Sequence, residues 1–87
     1  MTPSEFRDAR AGLGRMWGLG RPLHMSELGR VLRLQGRDPG ASVRDWERGH
    51  TPISGPVQVA VEAMLAGFKP AAYFTIVAGA HKPSAQR

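Results

Sequence analysis

The sequence predicts an all-α protein, a compact bundle of four or five helices, and three observations lead there. Apolar residues recur at three- and four-residue intervals through four separate stretches, the spacing of one helix face. Three of those stretches open on a capping residue followed by glycine or proline, and three close on glycine, as helix ends favour. The 87 residues include no cysteine, so neither a disulfide nor a thiolate metal site can supplement a packed core. One domain of that length is near the lower limit for folding unaided, and oligomerisation is the remaining way to bury more apolar surface.

The first helix is expected over residues 3–13. Thr2 caps it, Pro3 suits its first position, and Glu5 stands three residues after Thr2 as in a capping box. Phe6, Ala9 and Leu13, with the stem of Arg10, share one face, and Gly12 and Gly14 end the helix near Leu13. Residues 14–23 hold three glycines and a proline and read as a loop or as a frayed extension of the first helix. Met16, Trp17 and Leu19 are too apolar for a solvated loop, so Trp17 is expected to fold back as a lid on the core, with a base-stacking or partner-binding tryptophan as the alternative.

A second helix spans about 25–35, with Met25, Leu28, Val31, Leu32 and Gln35 facing inward and Glu27, Arg30 and Arg33 facing outward. Gly36 stops it. Asp38 then caps a third helix over 39–48, with Pro39 at its first position and Gly49 closing it. Ser54 caps a fourth over 55–66. There Val57, Ala60, Val61, Met64 and Phe68 form one apolar stripe, and Val59, Ala63 and Ala66 a second. A small protein with such a helix has two surfaces to cover. The apolar segment 70–78 suits either a two-turn helix or a dimer-forming strand, since periodicity does not separate them. Residues 80–87 read as a disordered basic tail.

The formal charge is +5, and ten of the twelve cations are arginine, nine of them between Arg7 and Arg48. Arginine suits planar, two-pronged contacts to phosphates and guanine edges, so the balance leans toward nucleic acid. On the third helix, Pro39, Val43 and Trp46 point into the core, which turns Gly40, Ala41, Arg44, Asp45 and Arg48 outward. Ala41 is placed to meet a thymine methyl and Arg44 to meet guanine O6 and N7. Arg48, nearer the helix C-terminus, is better placed for phosphate. Asp45 either accepts from a cytosine amine or orients Arg44 or Arg48.

The run Leu23-His24-Met25-Ser26-Glu27-Leu28-Gly29-Arg30-Val31-Leu32, followed by Ser42-Val43-Arg44-Asp45-Trp46-Glu47-Arg48-Gly49, resembles the lambda-repressor-like (Cro-type, XRE-type) helix-turn-helix family. The Val-x-x-Trp-Glu-x-Gly ending is its most specific part, and Ile53-Ser54-Gly55-Pro56-Val57 matches the usual lead-in to the next helix. The likeness covers roughly Thr2 to Leu65. It implies a helix-turn-helix DNA-binding domain over 1–67 whose third helix enters the major groove, dimers on two half-sites about one DNA turn apart, and a C-terminal extension over 68–87.

By the same resemblance, Gly29 is the small residue where helices two and three cross. Leu28, Leu32, Val43 and Trp46 form the core of the motif, and Glu47 pairs with Arg10 of the first helix. Gly40, Ala41, Arg44 and Asp45 are the expected base contacts. Arg33, Arg37, Ser42, Arg48, His50 and Thr51 are the expected phosphate contacts. Dimerisation is expected to use Val59, Ala63, Phe68, Tyr73, Phe74 and Ile76. The sequence also departs from the family. The loop before Leu23 and the connection from Arg33 to Asp38 are longer than usual, His24 and Met25 replace a common threonine and glutamine, and Gly40 and Ala41 replace longer polar base readers. Arg44 is left as the principal reader, with DNA shape and phosphate contacts carrying the rest.

The expected partners are double-stranded DNA, a second copy of the chain and possible regulatory proteins; no cofactor or metal is expected. His24, His50 and His81 lie in separate segments without a local ligand pair. No nucleophile–base or paired-carboxylate spacing suggests an enzyme. Gly12-x-Gly14 and Gly18-x-Gly20 follow no strand, so neither is a dinucleotide loop. No apolar run approaches the ~20 residues of a membrane span and no signal pattern opens the chain, so a cytoplasmic protein without membrane contact is expected. A homodimeric autorepressor of a mobile genetic element is the leading expectation. A DNA-binding antitoxin holding its toxin through the tail, and a protein-interaction module without DNA binding, are the alternatives.

Overall fold

The computed structural model describes residues 1–80, and within them every regular element is a helix. The order is α1 (Pro3–Met16), α2 (Met25–Val31), α3 (Gly40–Glu47), α4 (Gly55–Leu65) and α5 (Ala71–Ala80). The tail expected to be disordered, including His81, lies outside the described residues beyond Ala80.

The expected capping box opens α1. Thr2 Oγ1 accepts from the Glu5 N–H at 3.0 Å, and Glu5 Oε1 accepts from the Thr2 N–H at 2.7 Å. The backbone N–H of Thr2 holds the Glu5 carboxyl below its ordinary pKa. Phe6, Ala9 and Leu13 are buried as their spacing requires. The helix nevertheless runs three residues past Leu13. Gly14 does not break it: this glycine is buried, and a Cβ there would collide with the Arg21 carbonyl and Pro22. Its missing side chain lets the following loop lie directly on α1. Trp17 then folds back as the expected lid, 5% exposed, with its ring edge-on to Tyr73 at 4.9 Å.

The second helix is shorter than the spacing predicts. It ends at Val31, not at residue 35, because Arg33 takes a left-handed conformation (φ 59°) usually held by glycine. The Leu34 N–H donates to the Gly29 carbonyl at 2.9 Å and the Arg33 N–H to the Arg30 carbonyl at 3.0 Å, closing a Schellman turn. Leu34 packs on the core, while Gln35 is exposed instead of completing the inward stripe. Gly29 packs against the Pro39 backbone and Gly40 against Met25 and Ser26, so α2 and α3 cross at contact distance. Leu28 and Val43 are buried beneath that crossing, and Leu32 is half-buried at its edge. Trp46 meets Phe6 edge-on at 5.5 Å, tying α3 to α1.

Ser54 caps α4 as expected, with its Oγ accepting from the Val57 N–H at 3.4 Å. Val61 and Met64 enter the core, whereas Val59 on the second stripe stays exposed. Phe68, placed on the inner stripe by its spacing, is instead 60% exposed because Gly67 turns the chain outward after Ala66. The segment 70–78 falls within a helical stretch, α5 running from Ala71 to Ala80, which removes the strand alternative. Ile76 is buried in the common core and Tyr73 meets Trp17 edge to face, so both are occupied within the chain. Through them α5 joins the same packed unit as residues 1–67. No helix among the described residues is long and apolar enough to cross a membrane.

Candidate nucleic-acid interface

The outward face of α3 is built on an anchored inner face. Val43 and Trp46 are buried, and the Glu47 side chain is only 3% exposed. Arg10 donates to both oxygens of that carboxylate, Nε to Oε2 at 2.6 Å and Nη2 to Oε1 at 2.9 Å. Its remaining nitrogen, Nη1, donates to the Leu23 carbonyl at 2.7 Å. One guanidinium thus joins α1, the end of α3 and the loop ahead of α2. Removing one partner of such a buried pair costs about 3–5 kcal/mol because the other charge is left buried and unpaired, so each side chain requires the other in place. The pair expected between Arg10 and Glu47 is therefore present. Arg7 adds a contact the sequence reading missed, Nη2 to the Glu47 carbonyl at 3.2 Å. Its position three residues before Arg10, on the same helical flank, was the available signal.

Opposite that anchor, Ala41, Arg44 and Asp45 are half-buried, and Ser42 and Arg48 are exposed. Gly40 does not belong with them. It is buried at the α2–α3 crossing, where even a Cβ would sit 3.0 Å from the Ser26 nitrogen. Asp45 also departs from expectation: its carboxylate lies 3.7 Å from His50 Nδ1 and orients neither Arg44 nor Arg48. The acid that meets Arg44 is Asp38, at 3.3 Å. Arg33 and Arg37, in the connection between α2 and α3, and His50 and Thr51, just after α3, are all exposed.

No protein-family model matches the chain, and no curated protein or solved structure is significantly similar to it. The candidate interface therefore rests on its own residues. Gly49, with φ 76°, lets the His50 N–H reach back to the Asp45 carbonyl at 2.9 Å, which stops α3 and fixes where Arg48 and His50 emerge.

A second ion pair, this one unforeseen, braces the start of α2. Glu27, expected outside, is buried and accepts from Arg21 Nη1 at 2.9 Å and Nη2 at 3.0 Å, and from the His24 N–H at 2.7 Å. Burial alone would raise the Glu27 pKa, but the Arg21 guanidinium and the His24 N–H outweigh it and hold the carboxyl below its ordinary value. A glutamate three residues after the cap residue His24 is a capping-box position, and that spacing was the missed signal. A groove of about 450 Å³ opens beside this pair, between α2 and α5, and none of its lining residues comes from α3. Among the described residues, no group of three or more His, Asp or Glu side chains is placed to hold a metal.

Proposed function

We propose that this chain is a sequence-specific DNA-binding transcriptional regulator that lays α3 in the major groove. The observation that carries this reading is the two-sidedness of α3. Its inner face is locked by Val43, Trp46 and the Arg10–Glu47 pair, and its outer face presents Ala41, Ser42, Arg44, Asp45 and Arg48. Arg44 reads a guanine; Arg48, Ser42 and the exposed Arg33, Arg37, His50 and Thr51 bind phosphates around it. A helix this short reaches only a few base pairs, so specificity on a full operator calls for two copies on a pseudo-palindromic site. Exposed apolar side chains at Met16, Val59, Phe68 and Phe74 favour a protein partner, which in this reading is the second copy. Repression, including of its own gene, and a cytoplasmic place beside the DNA belong to the same proposal.

Selection of duplexes from a random pool by the full chain tests it. Wild type should enrich one motif, and Arg44→Ala should lose ~1–3 kcal/mol on that motif and relax one position, the cost of a two-pronged base contact. Because Arg44 pairs, among the described residues, only with a well-exposed Asp38, the variant's melting curve should match wild type. An Arg44→Ala protein that enriches the same motif with equal affinity sinks this recognition face. A wild-type chain that enriches nothing, yet captures a protein through Phe68 and Phe74, favours the interaction module instead.

A further inference from the structure

Asp38 stands immediately before Pro39 and α3 and does two things at once. Its Oδ1 accepts from the N–H of Gly40, the first residue of α3, at 3.1 Å, and its Oδ2 accepts from Arg44 Nη2 at 3.3 Å. The Arg44 side chain therefore runs back toward the N-terminal end of α3, the direction long helical side chains favour. Among the described residues this is the guanidinium's only hydrogen bond, made through one of its three nitrogens. The other N–H groups remain available to an incoming ligand.

We infer that Asp38 is a positioning residue that sets base specificity, by holding Arg44 toward a guanine edge and away from the phosphates. The inference rests on the DNA reading given above. A guanidinium held by one nitrogen still offers two parallel donors to guanine O6 and N7. The same carboxylate offsets the arginine's charge and repels a phosphate brought to this spot, whereas a neutral base edge escapes that repulsion. Non-specific binding, which is nearly all phosphate attraction, is weakened by Asp38; guanine recognition is not. Asp38 thus widens the gap between specific and non-specific affinity without touching a base.

Asp38→Asn isolates this role, because the amide oxygen can still accept from the Gly40 N–H while the charge is lost. Full-chain wild type, Asp38→Asn, Arg44→Ala and the double variant are titrated with the wild-type-selected duplex and with a random-sequence duplex, across salt. Asp38→Asn should bind the random duplex about two- to fivefold more tightly, the worth of an exposed ion pair expressed as affinity. Its salt dependence on that duplex should steepen by ~0.9 in log–log slope, one added phosphate contact. Re-selection should show the guanine position relaxed, and in the Arg44→Ala background Asp38→Asn should leave the slope unchanged. A purely structural contact would move the melting temperature and not the slope. Asp38→Asn with wild-type slope, ratio and motif overturns the inference while the DNA reading stands. Wild type that selects no motif overturns both.

Discussion

Glu27 carries a charge into the core on three supports: a two-pronged Arg21, the His24 N–H and the N-terminus of α2. Each favours the ionised form, and their sum exceeds the desolvation that opposes it, which leaves its pKa below the ordinary 4.5. A carboxyl whose folded pKa is depressed contributes stability that is complete above its unfolded pKa. That contribution drains away as pH falls through the lower, folded value. Glu27→Gln removes the charge and its pairing. The stability gap between wild type and this variant, from urea melts, should be constant from pH 7 to about 5 and narrow below about pH 4. A gap unchanged down to pH 3 means that Glu27 is not held ionised by Arg21. Arg21 is partly solvent-exposed, so the gap should also shrink in high salt.

Where helices stop is decided by backbone contacts that lie partly outside the local sequence. Gly14 resembles a breaker, yet it lies inside α1 and is required by the loop packed on it; Gly14→Ala drives a Cβ into the Arg21 carbonyl and should destabilise by about 1–3 kcal/mol. Arg33 is the opposite case. It sits in the left-handed region without being glycine, so Arg33→Gly should stabilise by about 0.5 kcal/mol, the conformational penalty relieved less the added freedom of the unfolded chain. Chemical denaturation of both variants checks the two signs, and equal signs would refute this account of the helix ends. The same residues explain what the sequence could and could not reveal. Caps at Thr2 and Ser54, the stop at Gly49 and the inward Val43 and Trp46 were legible because each acts within about one turn. The pairing of Arg10 with Glu47 was legible only through family resemblance. Arg33 ending α2, Gly14 continuing α1 and Gly40 retreating from the outer face depend on segments brought together by folding. No local pattern contains them.

Among the described residues, several large apolar side chains stay uncovered on the folded chain. Met16, Val59, Phe68 and Phe74 are 51%, 64%, 60% and 62% exposed. The sequence of α5 carries no charged residue, yet Ile76 is its only buried one, and α4 turns Val59 outward. Such surface is what a two-fold dimer burying about 800 Å² per partner covers. With Tyr73 and Ile76 already used inside, the expected interface reduces to Val59, Ala63, Phe68 and Phe74. Two variants separate its halves: Val59→Glu on α4, and the double Phe68→Ser, Phe74→Ser, one in the connection after α4 and one on α5. Each should keep the wild-type helical content, since none of these side chains is buried. Whichever half forms the interface, its variant should sediment as a monomer where wild type is a dimer. It should also lose affinity for the two-half-site duplex far more than for a single half-site, because a lost dimer removes the gain from linking two sites and leaves each reading head intact. A wild-type chain that sediments as a monomer both alone and on its selected duplex ends the dimer reading. Recognition would then rest on one α3 and on the Arg44–Asp38 pair that the proposal places at its centre.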